Sequence, residues 1–373
     1  MTKLPKAAVL ACAIGFCAGV AVGAGGLLCV MLDRPKPPPA VRPLPAVKDA
    51  APRWEKTSFA ALPGWGEDSF AGFAAACRRN RFAWCDGTAP REYIEANFTP
   101  WRLASPSPKG LFTGYYTSNL SGARERSGAY RYPLLARPAD LVVANVARFA
   151  PSCKACKGLS ISGRVENGEL VPYATRAALE SRPPASSGEV LAWLADPVDA
   201  HILHIQGSGV VELAEGGRLY AAFSGTNGRP FTGIGSILRA NEKLPDLTMP
   251  AVRRWLRANP AKASAYLAQN QRYVFFREAQ ASEFPVGAMG VPVSAGRTLA
   301  VDPQAVKLGT MLYLATDEPR LRRVVFAQDT GAAIKGMQRG DFYWGQGEEA
   351  FERAGRMKTT GEYYLLLPNG AAP

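Results

Sequence analysis

The chain has 373 residues, 47% hydrophobic and 20% charged, with 44 Lys and Arg against 31 Asp and Glu for a formal net charge of +13. That apolar fraction excludes a mostly disordered chain, and the length fits about two domains at roughly 150 residues each. The 37 Gly and 30 Pro interrupt helices and strands alike, which excludes a coiled coil and predicts a turn-rich, strand-dominated body. The positive balance asks for an acidic neighbour, and nucleic acid, phospholipid head groups and anionic polysaccharide all satisfy it.

Lys3 and Lys6 precede an uncharged run of 26 residues from Ala7 to Leu32. A bilayer takes about 20 residues to cross, so residues 1–33 read first as an uncleaved signal anchor. A lipid anchor needs Cys directly after a Leu-small-small pattern. Cys12, Cys17 and Cys29 follow Val-Leu-Ala, Ile-Gly-Phe and Gly-Leu-Leu, so a lipoprotein ranks second. Residues 34–52 hold seven prolines and read as a stiff, extended linker that stands the body off a membrane on its outer side. Cys77, Cys85, Cys153 and Cys156 remain in the exported part. In an oxidising compartment their proximity favours Cys77–Cys85 and Cys153–Cys156 as disulfides over a redox motif or half a zinc site.

The apolar spacing of Phe70, Phe73, Ala74 and Cys77 predicts one amphipathic helix within Phe59–Cys85. A second helical stretch, Met249–Gln269, is split in two by Pro260. Between them lie short apolar runs separated by Gly, Pro and Asn: Gly110–Tyr116, Pro133–Leu135, Glu169–Tyr173, His201–Gln206, Val210–Leu213 and Leu219–Phe223. The same texture returns in Arg297–Val301, Thr310–Ala315, Arg323–Gln328 and Tyr363–Leu367. Strands at this spacing predict barrels, not a doubly wound sheet. There is no P-loop or Rossmann fingerprint.

The chain's two histidines are His201 and His204. Read as strand residues three apart, they face opposite ways and cannot share a metal ion. No Gly-x-Ser-x-Gly elbow is present to use either one. Acid and base chemistry therefore falls to carboxylates, and the densest set is C-terminal: Asp302 before Pro303, Asp329 in Ala-Gln-Asp329-Thr-Gly, and Asp341 in Arg-Gly-Asp341-Phe-Tyr-Trp. Asp302 reads as a turn cap. Asp341, beside Phe342, Tyr343 and Trp344, reads as an acid with aromatic faces for sugar stacking, partly desolvated and raised toward the working range. Upstream, Thr113, Tyr115 and Tyr116, then Tyr173, then the turn Gln206-Gly207-Ser208-Gly209 form a second polar and aromatic set. That turn has little bulk to keep a ligand from its backbone amides.

Taken in order, the strings Phe112-Thr-Gly-Tyr-Tyr, Leu170-Val-Pro-Tyr-Ala-Thr-Arg176, Trp193-Leu-Ala-Asp-Pro-Val-Asp-Ala200, Ile205-Gln-Gly-Ser-Gly209, Gly225-Thr-Asn-Gly-Arg-Pro230, Pro285-Val-Gly-Ala-Met-Gly-Val-Pro292 and the block from Asp329 to Pro368 resemble the membrane-bound lytic murein transglycosylase A family. The last block resembles its C-terminal module of three aspartates, here Asp302, Asp329 and Asp341.

The resemblance implies a mainly β fold: a double-psi β-barrel from residues 53–110 and 250–373, with the aspartate module at about 285–368, an inserted second β-barrel over 111–249, and a few helices. It also implies an exo-acting lyase that cleaves the β-1,4 bond between N-acetylmuramic acid and N-acetylglucosamine without water, leaving a 1,6-anhydro end. Asp341 matches the single acid and base and Asp329 its supporting aspartate. Thr113, Tyr115, Tyr116, Tyr173, Gln206, Gly207, Ser208 and Tyr343 are expected to bind the glycan. No metal or cofactor is implied. The implied location is periplasmic, by signal anchor or as an outer-membrane lipoprotein. Murein strands, the membrane, and proteins of cell-wall synthesis or division are the implied partners, and nucleic acid is not. The rival readings are a hydrolytic muramidase using Asp329 and Asp341, and a non-catalytic cell-wall binding protein.

Overall fold

The computed structural model describes residues 53–373 except 88, 106–107, 154–155, 157 and 182–189. The expected anchor (1–33) and linker (34–52) lie outside the described residues. Among those described, no helix is long and apolar enough to cross a membrane.

The strands in chain order are β1 (Arg53–Lys56), β2 (Phe98–Ala104), β3 (Gly110–Ala123), β4 (Tyr132–Leu135), β5 (Val142–Asn145), β6 (Ser160–Glu166), β7 (Glu169–Pro172), β8 (Val190–Leu194), β9 (Ser208–Leu213), β10 (Arg218–Thr226), β11 (Val274–Ala279), β12 (Thr298–Val301), β13 (Met311–Thr316), β14 (Arg322–Asp329), β15 (Gly340–Gln346) and β16 (Lys358–Pro368). The helices are α1 (Phe73–Arg79), α2 (Pro90–Asn97), α3 (Val146–Phe149), α4 (Arg176–Glu180), α5 (Pro197–Gln206), α6 (Ile234–Glu242), α7 (Met249–Ala258), α8 (Pro260–Ala268) and α9 (Glu348–Arg356).

Two closed circuits of pairing organise these strands. The first half of β3 pairs with β15 in parallel and with β16 antiparallel. From β16 the ladder runs through β13, β14 and β12 and returns to β15. Alternation along these strands sorts the side chains. Leu312, Leu314, Val325, Ala327, Tyr363 and Leu365 join Phe112 and Phe342 in one cluster. Their neighbours Met311, Tyr313, Val324, Phe326, Tyr364 and Leu366 face out, under Trp65, Phe73, Cys77 and Ile94 of the N-terminal segment. Covered on both faces, β13 reads as an unbroken apolar run rather than an alternating one.

The second half of β3 pairs with β9 in parallel and β8 antiparallel. β9 leads through β10 to β11, and β8 pairs with β4. A bridge between Ala136 and Phe276 closes this second ring. β3 is thus a member of both circuits. Leu120, Leu134, Leu194, Val211, Leu219 and Phe276 pack in the second circuit's cluster. A separate antiparallel sheet, β5-β6-β7, lies off both.

The N-terminal segment is anchored by an ion pair with each side chain only 2% exposed: Arg297 donates to both oxygens of Asp68, at 2.7 and 2.8 Å. Burial opposes ionisation of Asp68, but Arg297 and the backbone N–H groups of Val324 and Phe70 hold its carboxyl below the usual range. Both expected disulfides are present, Cys77–Cys85 and Cys153–Cys156.

Two expected elements differ. The stretch Phe59–Cys85 is helical only as short turns and as α1, because Gly64, Phe70 and Gly72 adopt left-handed backbone that no helix continues through. His201–Gln206 is not a strand but the second half of α5. Asp196 caps α5 by accepting from Val198 and Asp199 N–H, Pro197 takes its first position, and Gly207 ends it at φ 81°, a full set of start and stop signals. His201 and His204 therefore share a helix face, contrary to the strand reading. Both are buried; burial lowers the His201 imidazole to about 3 and that of His204 well below its usual value, with Arg176 adding to each. His204 Nδ1 accepts from Val274 N–H at 3.1 Å, and its ring meets Tyr273 and Phe276 edge-on. The stretch after Met249 divides at Pro260 into α7 and α8.

Candidate active site

The parallel register of β15 on β3 sets Asp341 beside Thr113 and Tyr343 beside Tyr115. Alternation puts Thr113, Tyr115 and Thr117 on one face of β3 and Asp341 and Tyr343 on the matching face of β15. On the other side β12 intervenes, with Ala300 paired to both Asp341 and Asp329. Two strand spacings thus separate the aspartates, on the order of 10 Å between Cα atoms.

The two carboxyls differ in what they accept. Asp329 Oδ1 takes the N–H groups of Ala288 and Thr330 at 2.9 and 2.8 Å, and its Oδ2 takes the Tyr115 hydroxyl at 3.0 Å. Burial nevertheless raises the Asp329 carboxyl above its usual value. Burial and the neighbouring Asp329 charge raise the Tyr115 phenol well above its own, so Tyr115 stays a donor. Asp341 Oδ1 accepts only from Thr113 Oγ1, at 2.6 Å, and Asp341 Oδ2 receives no donor among the described residues. Desolvation raises Asp341 to about 6, helped by Asp329 and opposed by Thr113 and Arg339. A carboxyl in that range has a free oxygen and gives and regains a proton near neutrality.

Around this pair the Tyr343 ring lies 5.0 Å from that of Tyr115 and its hydroxyl shares a hydrogen bond of 2.7 Å with Thr117. Burial pushes the Tyr343 phenol up to about 12. Further along β3, Gln206 Oε1 accepts from Tyr116 N–H at 3.2 Å, and Gly209 pairs with Ser118. The Gln206-Gly207-Ser208 turn is therefore fastened to the same strand that carries Thr113 and Tyr115.

The chain matches the MltA specific insert domain over residues 111–277 and the 3D domain over 297–367. The crystal structure of MltA from Neisseria gonorrhoeae is similar at 31% identity and a TM-score of 0.73, over 90% of this chain and 98% of that one. The chain belongs to the MltA family. The lytic transglycosylase LtgG of Burkholderia pseudomallei shares 37% identity, with a TM-score of 0.59 over 87% of this chain and 97% of that one. The membrane-bound lytic murein transglycosylase A of Escherichia coli K12 is 28% identical over 301 residues, 75% of this chain and 72% of its own length.

Within this MltA-family chain, the structure brings Asp341, Asp329, Thr113, Tyr115 and Tyr343 together and leaves other expected site residues apart. Tyr116 points to the opposite face of β3, where it is buried against Phe351 of α9. Tyr173 is buried against Phe275, and its hydroxyl donates to Asp140 at 2.8 Å. Of the three aromatics that follow Asp341, only Tyr343 shares its face. Phe342 is wholly buried in the first circuit's cluster, and Trp344 packs edge-on against it and donates to Met357 Sδ. Asp302 caps its own turn at Gln304 N–H and accepts from Gly336 N–H at 2.7 Å.

Arg339 was not singled out by sequence. Its Nη2 donates to Thr113 Oγ1 at 2.8 Å. Its position two residues before Asp341, on the same side of an extended chain, is the signal that marks it.

Proposed function

We propose that the protein is a peptidoglycan lytic transglycosylase in which Asp341 alone acts first as acid and then as base. Asp341 Oδ2 protonates the oxygen linking N-acetylmuramic acid to N-acetylglucosamine, and the C1–O bond breaks. The resulting carboxylate takes the proton of the muramoyl C6 hydroxyl as that oxygen bonds to C1. The product ends in a 1,6-anhydro ring, no water is consumed, and Asp341 is returned to its starting protonation state.

The observation that carries this reading is the contrast between the carboxyls. Asp329 accepts from three donors, at least one on each oxygen, which suits holding Tyr115 and stabilising positive charge at C1 rather than activating water. Asp341 keeps one oxygen free and is raised to about 6. A hydrolase needs a second working carboxylate. Gln206, Gly207 and Ser208, with Tyr115 and Tyr343, line a saccharide groove between the first circuit, read as a double-psi barrel, and the second circuit, read as the inserted barrel. β11 (Val274–Ala279), within the stretch 250–373 expected for the first, belongs to the second circuit. The body works in the periplasm, tethered to a membrane by residues 1–33, and its basic charge aids capture of an anionic glycan.

Mass spectrometry of digested murein tests the reaction: anhydro products are lighter by one water than the reducing ends a hydrolase leaves. Asp341→Asn should fold, bind murein and release nothing. Reducing ends from the wild type, or wild-type release by Asp341→Asn, would overturn the reading.

A further inference from the structure

We propose that Arg339 is a positioning residue that acts through Thr113 to decide which oxygen of Asp341 carries the working proton. This rests on the reading of Asp341 as acid and base. The chain of hydrogen bonds runs one way. A guanidinium donates and never accepts, so at the 2.8 Å contact with Arg339 Nη2 the Thr113 hydroxyl oxygen is the acceptor. Its own single proton is then directed to Asp341 Oδ1, 2.6 Å away. Oδ1 is occupied as an acceptor, and a proton placed on it would have to turn the Thr113 proton out of this contact. The carboxyl proton resides on Oδ2, the oxygen with no donor among the described residues.

Arg339 is itself fixed. Its Nη1 donates to the Leu111 carbonyl at 3.2 Å on β3 and to the Gly340 carbonyl on β15. One planar group thus spans the two strands that bear Thr113 and Asp341, a geometry suited to the rigid fork of arginine. The polar groups facing Asp341 are Thr113 and Tyr115 from β3, Tyr343 from β15, Asp329 from the end of β14, and Arg339. β12 offers Ala300, with nothing to titrate, and Lys358, opposite Thr113 on β16, points into solvent. Burial and Asp329 raise the Asp341 carboxyl, and Arg339 is the cation that opposes them. The guanidinium thereby also eases the second half of the reaction, when Asp341 must hold a negative charge.

The test is the pH profile of murein cleavage by the full chain and its variants. Arg339→Met should lower turnover by on the order of 10–100-fold. Its alkaline limb, set by loss of the Asp341 proton, should move up by about one pH unit as the opposing cation disappears. Arg339→Lys should restore the position of the limb while turnover stays reduced, because an ammonium keeps the charge but not the fork. Thr113→Val should also raise the limb, and Thr113→Ser should not. Arg339→Met should cost less in the Thr113→Val background than alone.

An unmoved limb in Arg339→Met, whatever its turnover, overturns the proposal, and so do additive losses in the double variant. If Arg339→Met does not fold, the Thr113→Val and Thr113→Ser pair decides it, and a limb unmoved in Thr113→Val overturns it. Failure of the underlying reading shows separately, as retained cleavage by Asp341→Asn.

Discussion

Asp329→Asn separates a supporting aspartate from a second catalytic one. The substitution removes an anion but keeps the shape of the side chain. The Ala288 and Thr330 N–H groups can still reach the amide oxygen, and the Tyr115 hydroxyl can turn to accept from the amide nitrogen. With the aspartates two strand spacings apart, at about 10 Å, their Coulomb energy is about 1.7 kcal/mol at an effective dielectric of about 20 and half that at about 40. At about 1.36 kcal/mol per pH unit, losing the Asp329 charge should lower the Asp341 carboxyl by roughly 0.6 to 1.2 units. The sign follows from the acid role. In the proposed role Asp341 must be protonated for cleavage, so the wild-type rate should fall about tenfold per pH unit above about 6, and in Asp329→Asn that fall should begin at lower pH. The assay is initial release of anhydro-muropeptides from murein across pH 4–9, with the protein's folded state checked by circular dichroism at each pH. A limb that stays in place or moves upward refutes the argument. Reducing ends among the wild-type products, together with loss of all release in Asp329→Asn at every pH, would instead mark Asp329 as a second catalytic carboxylate, the hydrolase behaviour.

Two further outcomes concern stability. Asp68→Asn, which leaves Arg297 buried without its anion, should cost about 3–5 kcal/mol in urea unfolding. Because the folded Asp68 carboxyl lies below its usual value, its contribution is fully present above the ordinary carboxylate range and is lost as pH falls through the depressed folded value. Asp341 works the other way. Its carboxyl is raised from 3.8 to about 6, so the strain of ionising it grows as pH rises through that interval, and Asp341→Asn should be more stable than wild type at pH 7 by at most about 3 kcal/mol, with no gain at pH 3. A thermal melt at the two pH values checks this, and equal midpoints at pH 7 would contradict it.

The strands of the first circuit were legible where alternation is overridden by burial on both faces, as in Met311–Thr316, whose unbroken apolar run is what two covered faces require. His201–Gln206 misled for the same reason. It is an apolar run too, and the signals that make it helical, Asp196, Pro197 and Gly207, lie outside the run. Asp341 was legible by residue type and context. Its environment was not, because Asp329 meets Tyr115 across 214 residues through a parallel register that no local pattern encodes. The same register explains the error over Phe342 and Trp344: adjacency in sequence placed them beside the acid, and the alternation of β15 turned them to the opposite face.

The strand common to both circuits, β3, carries Thr113 and Tyr115 in one ring and pairs Ser118 with Gly209 in the other. Five residues of uninterrupted backbone therefore span the step from the acid's partner to the ring that bears the Gln206 turn. A protein whose halves are joined by a flexible crossing can swing them apart like a jaw. Here β3 passes from one ring to the other as one continuous strand, with Thr117 and Ser118 buried. The stretch of β3 that joins the two rings therefore stands within a few residues of Thr113 and Tyr115, the hydrogen-bond partners of Asp341 and Asp329.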